Sequence, residues 1–140
     1  MKAKLSLLLL IFSLFSCAKK MENTEVVEKD EMLLRVGLLK ESMISYMEDA
    51  NPSYTEKDVE QCNVILKTYL KEIAQTESKE AGIEVVKGTI IQLNELNKKC
   101  DFELIETSER ELIAEIIILA SSKKGYNSQE EDITEKWREW

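Results

Sequence analysis

The side chains of this chain that could do chemistry are three cysteines, Cys17, Cys62 and Cys100, a large set of carboxylates, and no histidine at all. Lacking imidazole, the chain is without the commonest general base, proton shuttle and metal ligand. A Ser-His or Cys-His nucleophile cannot be assembled from it. The 27 acidic residues offer many carboxylate pairs of the kind glycoside hydrolysis uses, but no spacing marks one pair from the rest. Their ordinary role is a solvated face, paired in part with lysines at helical spacing. Glu130-Glu131-Asp132 does not have the alternating oxygen ligands and central glycine of a calcium loop. Phosphate-cradling, dinucleotide-binding and metalloprotease strings are missing as well. The residue types therefore point to no enzyme, no metal, no cofactor and no small-molecule substrate.

The thiol with an informative position is Cys17. Lys2 and Lys4 precede a stretch from Leu5 to Phe15 in which only Ser6 and Ser13 are polar, and small residues follow. That order of charged, apolar and small residues is the order of a secretory signal. Eleven residues of helix rise about 16 Å, against a hydrocarbon core of about 30 Å, which disfavours a permanent membrane span. The end of the stretch, Leu14-Phe15-Ser16-Cys17, resembles the lipobox of bacterial lipoproteins. The resemblance implies that residues 1–16 are a cleaved signal peptide and that Cys17, whose thiol is the nucleophile, carries a diacylglyceryl thioether and an acylated amine. Ordinary cleavage after Ala18, with Ser16 and Ala18 as the small pair, is the alternative. Ala18 stands where well-studied lipoproteins retained in the inner membrane carry aspartate. Lys19 and Lys20 stand where some surface-exported ones carry acids. The family pattern thus implies a cell-envelope protein in the outer membrane, facing the periplasm.

Removing the signal takes away two lysines and no acid, so the net charge moves from −8 to −10. That sign argues against a nucleic-acid partner, because phosphate neutralisation needs clustered Lys and Arg. Residues 17–28 are polar and aperiodic and read as a flexible tether. The remaining 29–140 suffice for one domain. One proline and four glycines leave little material for tight turns, and long helices follow.

Met32, Val36, Leu39, Met43 and Met47 form one stripe of a helix over 29–49, ended by Asn51-Pro52-Ser53. Thr55 is placed to cap a second helix over 56–76, with Val59, Cys62, Leu66, Tyr69 or Leu70, and Ile73 inward. Ser78 is placed to cap a third through Lys99, with Ile83, Val86, Ile90, Leu93 and Leu96 inward. Thr107, or Ser108 with Glu111 as a capping box, opens a fourth that stops before Gly125. Its segment Leu112–Ala120 holds a single charge, Glu115, so it must be covered on most sides and is expected at the centre. The expected fold is all-α: an antiparallel four-helix bundle with a short C-terminal tail helix carrying Trp137 and Trp140.

Cys62 and Cys100 remain once lipid occupies Cys17. An oxidising compartment allows them to pair. A hairpin of helices two and three, however, leaves Cys100 about 10 Å beyond the level of Cys62, more than the usual ~4.4–6.8 Å between bridged Cα atoms. The two readings are a disulfide, if the chain after Lys99 doubles back, and two buried inert thiols.

The second half, with Leu93-Asn94-Glu95-Leu96-Asn97, Cys100, Leu104-Ile105-Glu106-Thr107, Arg110-Glu111 and Asp132-Ile133-Thr134-Glu135-Lys136-Trp137-Arg138-Glu139-Trp140, resembles a group of small uncharacterised bacterial helical proteins akin to immunity proteins. Such proteins neutralise toxins by binding them. The resemblance implies a lipid-anchored, immunity-like binding module without catalytic activity, held to the membrane through Cys17 and engaging a protein partner. Trp137, Arg138 and Trp140 are its candidate contacts, being residue types that dominate binding hot spots. A structural or accessory lipoprotein subunit of an envelope complex is the alternative.

Overall fold

The apolar stripes legible in the sequence become the buried faces of four helices in the structure, a computed structural model that describes residues 31–140. The expected signal peptide, Cys17, the expected tether and the start of the expected first helix, residues 1–30, lie outside the described residues. Helix α1 occupies 31–50, α2 Glu56–Gln75, α3 Lys79–Lys99 and α4 Thr107–Lys123. No strand occurs among the described residues. The result is a helical bundle in which Met32–Trp140 is one compact unit around a single core.

Local chemistry sets most of the helix ends. Thr55 is extended ahead of α2, and the Asp58 carboxylate reaches back to accept from its amide at 2.9 Å and its hydroxyl at 2.7 Å. Ser78 Oγ accepts from the Ala81 amide at 3.1 Å to open α3. Asn51 (φ 50°) follows α1, and Gly125 (φ 74°) follows α4, each in the left-handed region that ends a helix.

The start of α4 corrects the expectation. Glu106 holds the cap position without a side-chain cap bond, Thr107 is already helical, and the Ser108 hydroxyl turns to the neighbouring Glu109 carboxylate. The preceding residues explain this. Leu104 and Ile105 are buried, and the Ile105 amide donates to Asn97 Oδ1 on α3 at 2.9 Å. Anchorage to α3, rather than a capping hydroxyl, decides where the chain turns into α4.

Met32, Val36, Leu39 and Met43 are buried on α1, and Met47 packs partly against the core. On α2, Tyr69 is fully buried and Leu70 only partly, which resolves the alternative between them. Tyr69 goes inside because its hydroxyl finds an acceptor there, the Ile117 carbonyl at 2.7 Å. On α3, Val86, Ile90, Leu93 and Leu96 are buried, whereas Ile83 is half-buried.

Helix α2 packs on both α3 and α4. Helix α1 meets α4 through Arg35–Glu115 at 2.8 Å and Ser42–Glu109 at 3.3 Å, meets α2 through Lys40–Glu60 at 2.6 Å, and holds the α1–α2 connection through the Tyr54 hydroxyl, which donates to the Met43 carbonyl at 3.1 Å. Helix α4 was expected to be enclosed by helices at the centre. Instead, α1 and α2 take its inner sides, while Ile118 and Leu119 look outward and are half-buried.

Two contacts tie the ends of the bundle. Lys99, at the end of α3, pairs with Asp58, at the start of α2, at 2.8 Å. The Lys99 and Thr55 hydrogen bonds hold the Asp58 carboxyl down to about 2. At the other end Gly82 is needed for a close approach: a Cβ there would lie 2.3 Å from the Tyr126 ring. That ring cannot easily yield, because its hydroxyl is bonded to the Thr76 carbonyl (3.1 Å) and hydroxyl (3.0 Å).

Asp58 binds a proton less readily folded than unfolded, so its contribution is present above its unfolded pKa near 4 and is lost as pH falls toward 2. An acid titration of stability should show this loss in the wild type and a flatter profile in Asp58→Asn; identical profiles would remove the ion pair from the account. Gly82→Ala should lower stability by about 1–3 kcal/mol through overpacking, although alanine gains about 1 kcal/mol in an open helix. In a Tyr126→Ala background the same change should become neutral or stabilising, which thermal melts of the four proteins will read.

Candidate functional site

After α4 the chain crosses the bundle end at Tyr126 and returns along the open side between α4 and α3. Asn127 Nδ2 donates to the Ile118 carbonyl of α4 at 3.2 Å. At the far end Asn94 of α3 grips the backbone twice: its Nδ2 donates to the Trp137 carbonyl at 2.8 Å, and its Oδ1 accepts from the Glu139 amide at 3.1 Å. One side chain thereby satisfies a donor and an acceptor that an irregular segment would otherwise leave unpaired. Sequence reasoning gave Asn94 no role of its own: it stood only within the string Leu93–Asn97 that carries the resemblance, a polar residue beside the apolar stripe of α3.

This segment is not the expected tail helix. Residues 133–137 form a run of turns, in which the Trp137 and Arg138 amides both donate to the Thr134 carbonyl, at 3.1 and 3.2 Å. Asp132 causes the turn by accepting from the Thr134 amide and hydroxyl and from the Glu135 amide. A few residues close too few intrahelical bonds to propagate a helix, and the two bonds to Asn94 hold 137–139 irregular. Burial raises the Asp132 carboxyl, but the Thr134 hydrogen bonds and Arg138 outweigh it and bring it below its usual value.

Trp137 and Trp140 are half-buried and pack against the core together with Ile133. Each indole carries a cation on its face: Lys136 lies 5.4 Å from the Trp137 ring centre, and Arg138 5.8 Å from that of Trp140. Arg138 is also paired with Asp132 at 2.9 Å. The three residues singled out from the sequence thus lie together on one segment, largely engaged within the chain.

The segment forms a ridge with a groove on either side. On the α3 side, Ile91, Asn94, Glu95, Lys98, Lys136 and Trp137 line a cavity of about 760 Å³. On the α4 side, a cavity of about 730 Å³ has an apolar floor of Ala114, Ile118 and Leu119 between walls carrying Arg110, Glu111, Glu115, Glu130, Asp132 and Arg138.

Cys62 and Cys100 are both buried and are free thiols, not a disulfide. Cys62 faces inward from the first half of α2, whereas Cys100 is the C-cap residue of α3. Burial pushes Cys62 up to about 12 and Cys100 to about 11, so neither supplies thiolate near neutrality. The displaced carboxylates move downward: Glu60 through Lys40, and Glu103 through the Ser53 amide and hydroxyl. These are carboxylates held ionised by structural partners, the opposite of a carboxyl raised to act as a general acid. Among the described residues no group of three or more Cys, Asp or Glu side chains is placed to hold a metal ion, and no helix is long and apolar enough to cross a membrane.

Compared with protein-family models, curated proteins and solved structures, the chain matches none.

Deleting residues 133–140 uncovers part of α3 and α4 and should lower the melting temperature by several degrees, with each kcal/mol lost shifting it by about 4 °C at this size. Tryptophan emission of the intact protein should be blue-shifted and protected from quencher. Water-like emission together with an unchanged melt would place the segment off the bundle.

Proposed function

We propose that this protein is a lipid-anchored protein-binding module of the bacterial cell envelope, without catalytic activity, carried on an antiparallel four-helix bundle. The observation that carries the reading is the placement of Cys17 directly after the apolar stretch Leu5–Phe15, in the sequence Leu14-Phe15-Ser16-Cys17. Several acyl chains, at about 0.8 kcal/mol per buried methylene, hold such a protein in the outer membrane with its domain in the periplasm. A net charge of −10 after cleavage keeps that domain off anionic headgroups.

A binding role is favoured because the surface features not absorbed by the core are recognition features. The C-terminal ridge presents two partly exposed indoles and an arginine between two grooves. The two remaining thiols are buried and protonated at neutral pH. An immunity-like role, blocking a partner by occupying its surface, is the form that the sequence resemblance supports.

The test is a fatty-acid label in living cells. Wild type should take up label and fractionate with the outer membrane, and Cys17→Ser should take up none. Cross-linking through residues 136–140 should then capture one defined partner from wild-type envelopes. Unlabelled wild-type protein would refute the anchor, and capture of no defined partner would refute the binding role.

A further inference from the structure

The groove between α4 and the C-terminal segment has a composition that selects its occupant. Its floor is the outward stripe of α4, in which Ala114 and Ile118 lie one turn apart with Leu119 beside them, at the edge where the covering segment stops. The stripe from Arg110 to Leu119 is about 14 Å long, two to three helical turns. Four carboxylates and two arginines line the walls. Glu115 is neutralised by Arg35, and Asp132 by Arg138. Among the described residues, the exposed carboxylates of Glu111, on the α4 wall, and Glu130, on the opposite wall, have no ion-pair partner. Of the arginines, Arg138 is committed to Asp132, whereas Arg110 donates to Thr107 Oγ1 at 3.4 Å and keeps its charge, so Glu111, Glu130 and Arg110 leave the groove one net negative charge.

The groove on the other side of the ridge lacks this bias. Its lysines and glutamates nearly balance, and Lys99 is already paired with Asp58.

We infer that the α4 groove is the docking site for a short cationic amphipathic segment of a partner protein, with apolar side chains on Ala114, Ile118 and Leu119 and Lys or Arg side chains on Glu111 and Glu130. This rests on the binding-module reading and names its site and the partner's chemistry. An acidic segment would meet an excess of carboxylates. A second copy of a mature chain carrying −10, or an anionic lipid surface, would be repelled for the same reason.

The test uses the mature chain with Cys17→Ser, which leaves the whole unit Met32–Trp140 in place. The probe is a fluorescent 14-residue peptide of Lys and Leu patterned as an amphipathic helix, compared with its Glu/Leu counterpart. The Lys/Leu peptide should bind, and backbone amide shifts should concentrate at 110–119 and 129–138. Glu111→Lys with Glu130→Lys should weaken binding on the order of tenfold, while Glu72→Lys with Glu80→Lys, the same charge change elsewhere, should weaken it by less than about twofold. Circular dichroism melts confirm that both variants fold. Equal loss in the two variants, scattered shifts, preference for the Glu/Leu peptide, or no binding would each overturn the inference. If the envelope partner is still captured by the Glu111→Lys, Glu130→Lys protein, the groove assignment falls and the binding role stands. Groove binding of the peptide with no envelope partner captured would have the reverse meaning.

Discussion

Helix α4 is apolar around more of its circumference than its neighbouring helices can cover, and much of the structure answers that constraint. Every residue from Leu112 to Ala120 except Glu115 is buried or half-buried. Ile113, Ile116 and Ile117 are buried in the core, but Ile118 and Leu119 line the outer groove. Leaving such a face wet costs about 25 cal/mol per Å². The chain answers by folding its own last residues back along it. The grooves exist because that cover is a narrow irregular segment, not a fifth helix.

An irregular cover creates its own difficulty, since a turn-rich segment against an apolar surface has backbone groups to satisfy. Asn94 resolves this at one end by serving as donor and acceptor at once, and Asp132 resolves it within the turn. Gly82 makes room for Tyr126 at the point where the segment leaves the bundle end. These three residues position the ridge on which Trp137, Arg138 and Trp140 sit. None of them belongs to an apolar stripe.

Electrostatics acts here mainly as fastening. Asp58 joins the start of α2 to the end of α3, Glu115 joins α4 to α1, and Asp132 holds Arg138 beneath Trp140. Exposed members of such pairs contribute little individually. Asp58, with most of its surface buried and three donors, is the one whose protonation the fold should feel. Once these pairs are made, the acidic excess among the described residues falls to surface carboxylates without an ion-pair partner there, among them Glu111 and Glu130 on either side of the α4 groove.

By itself the sequence determined the helices, because a 3.6-residue period of apolar side chains and a capping Thr55 or Ser78 are local facts that no distant contact has to complete. The start of α4, the irregular tail and the free thiols were decided only by tertiary structure. Asn97 is 8 residues from the amide it binds, Asn94 is 43 and 45 residues from its two partners, and Gly82 meets Tyr126 across a similar gap. Such pairings carry no periodicity, so nothing in a local window announces them. The grooves belong to the same class: they are the space left between α4, α3 and a segment whose path depends on one asparagine.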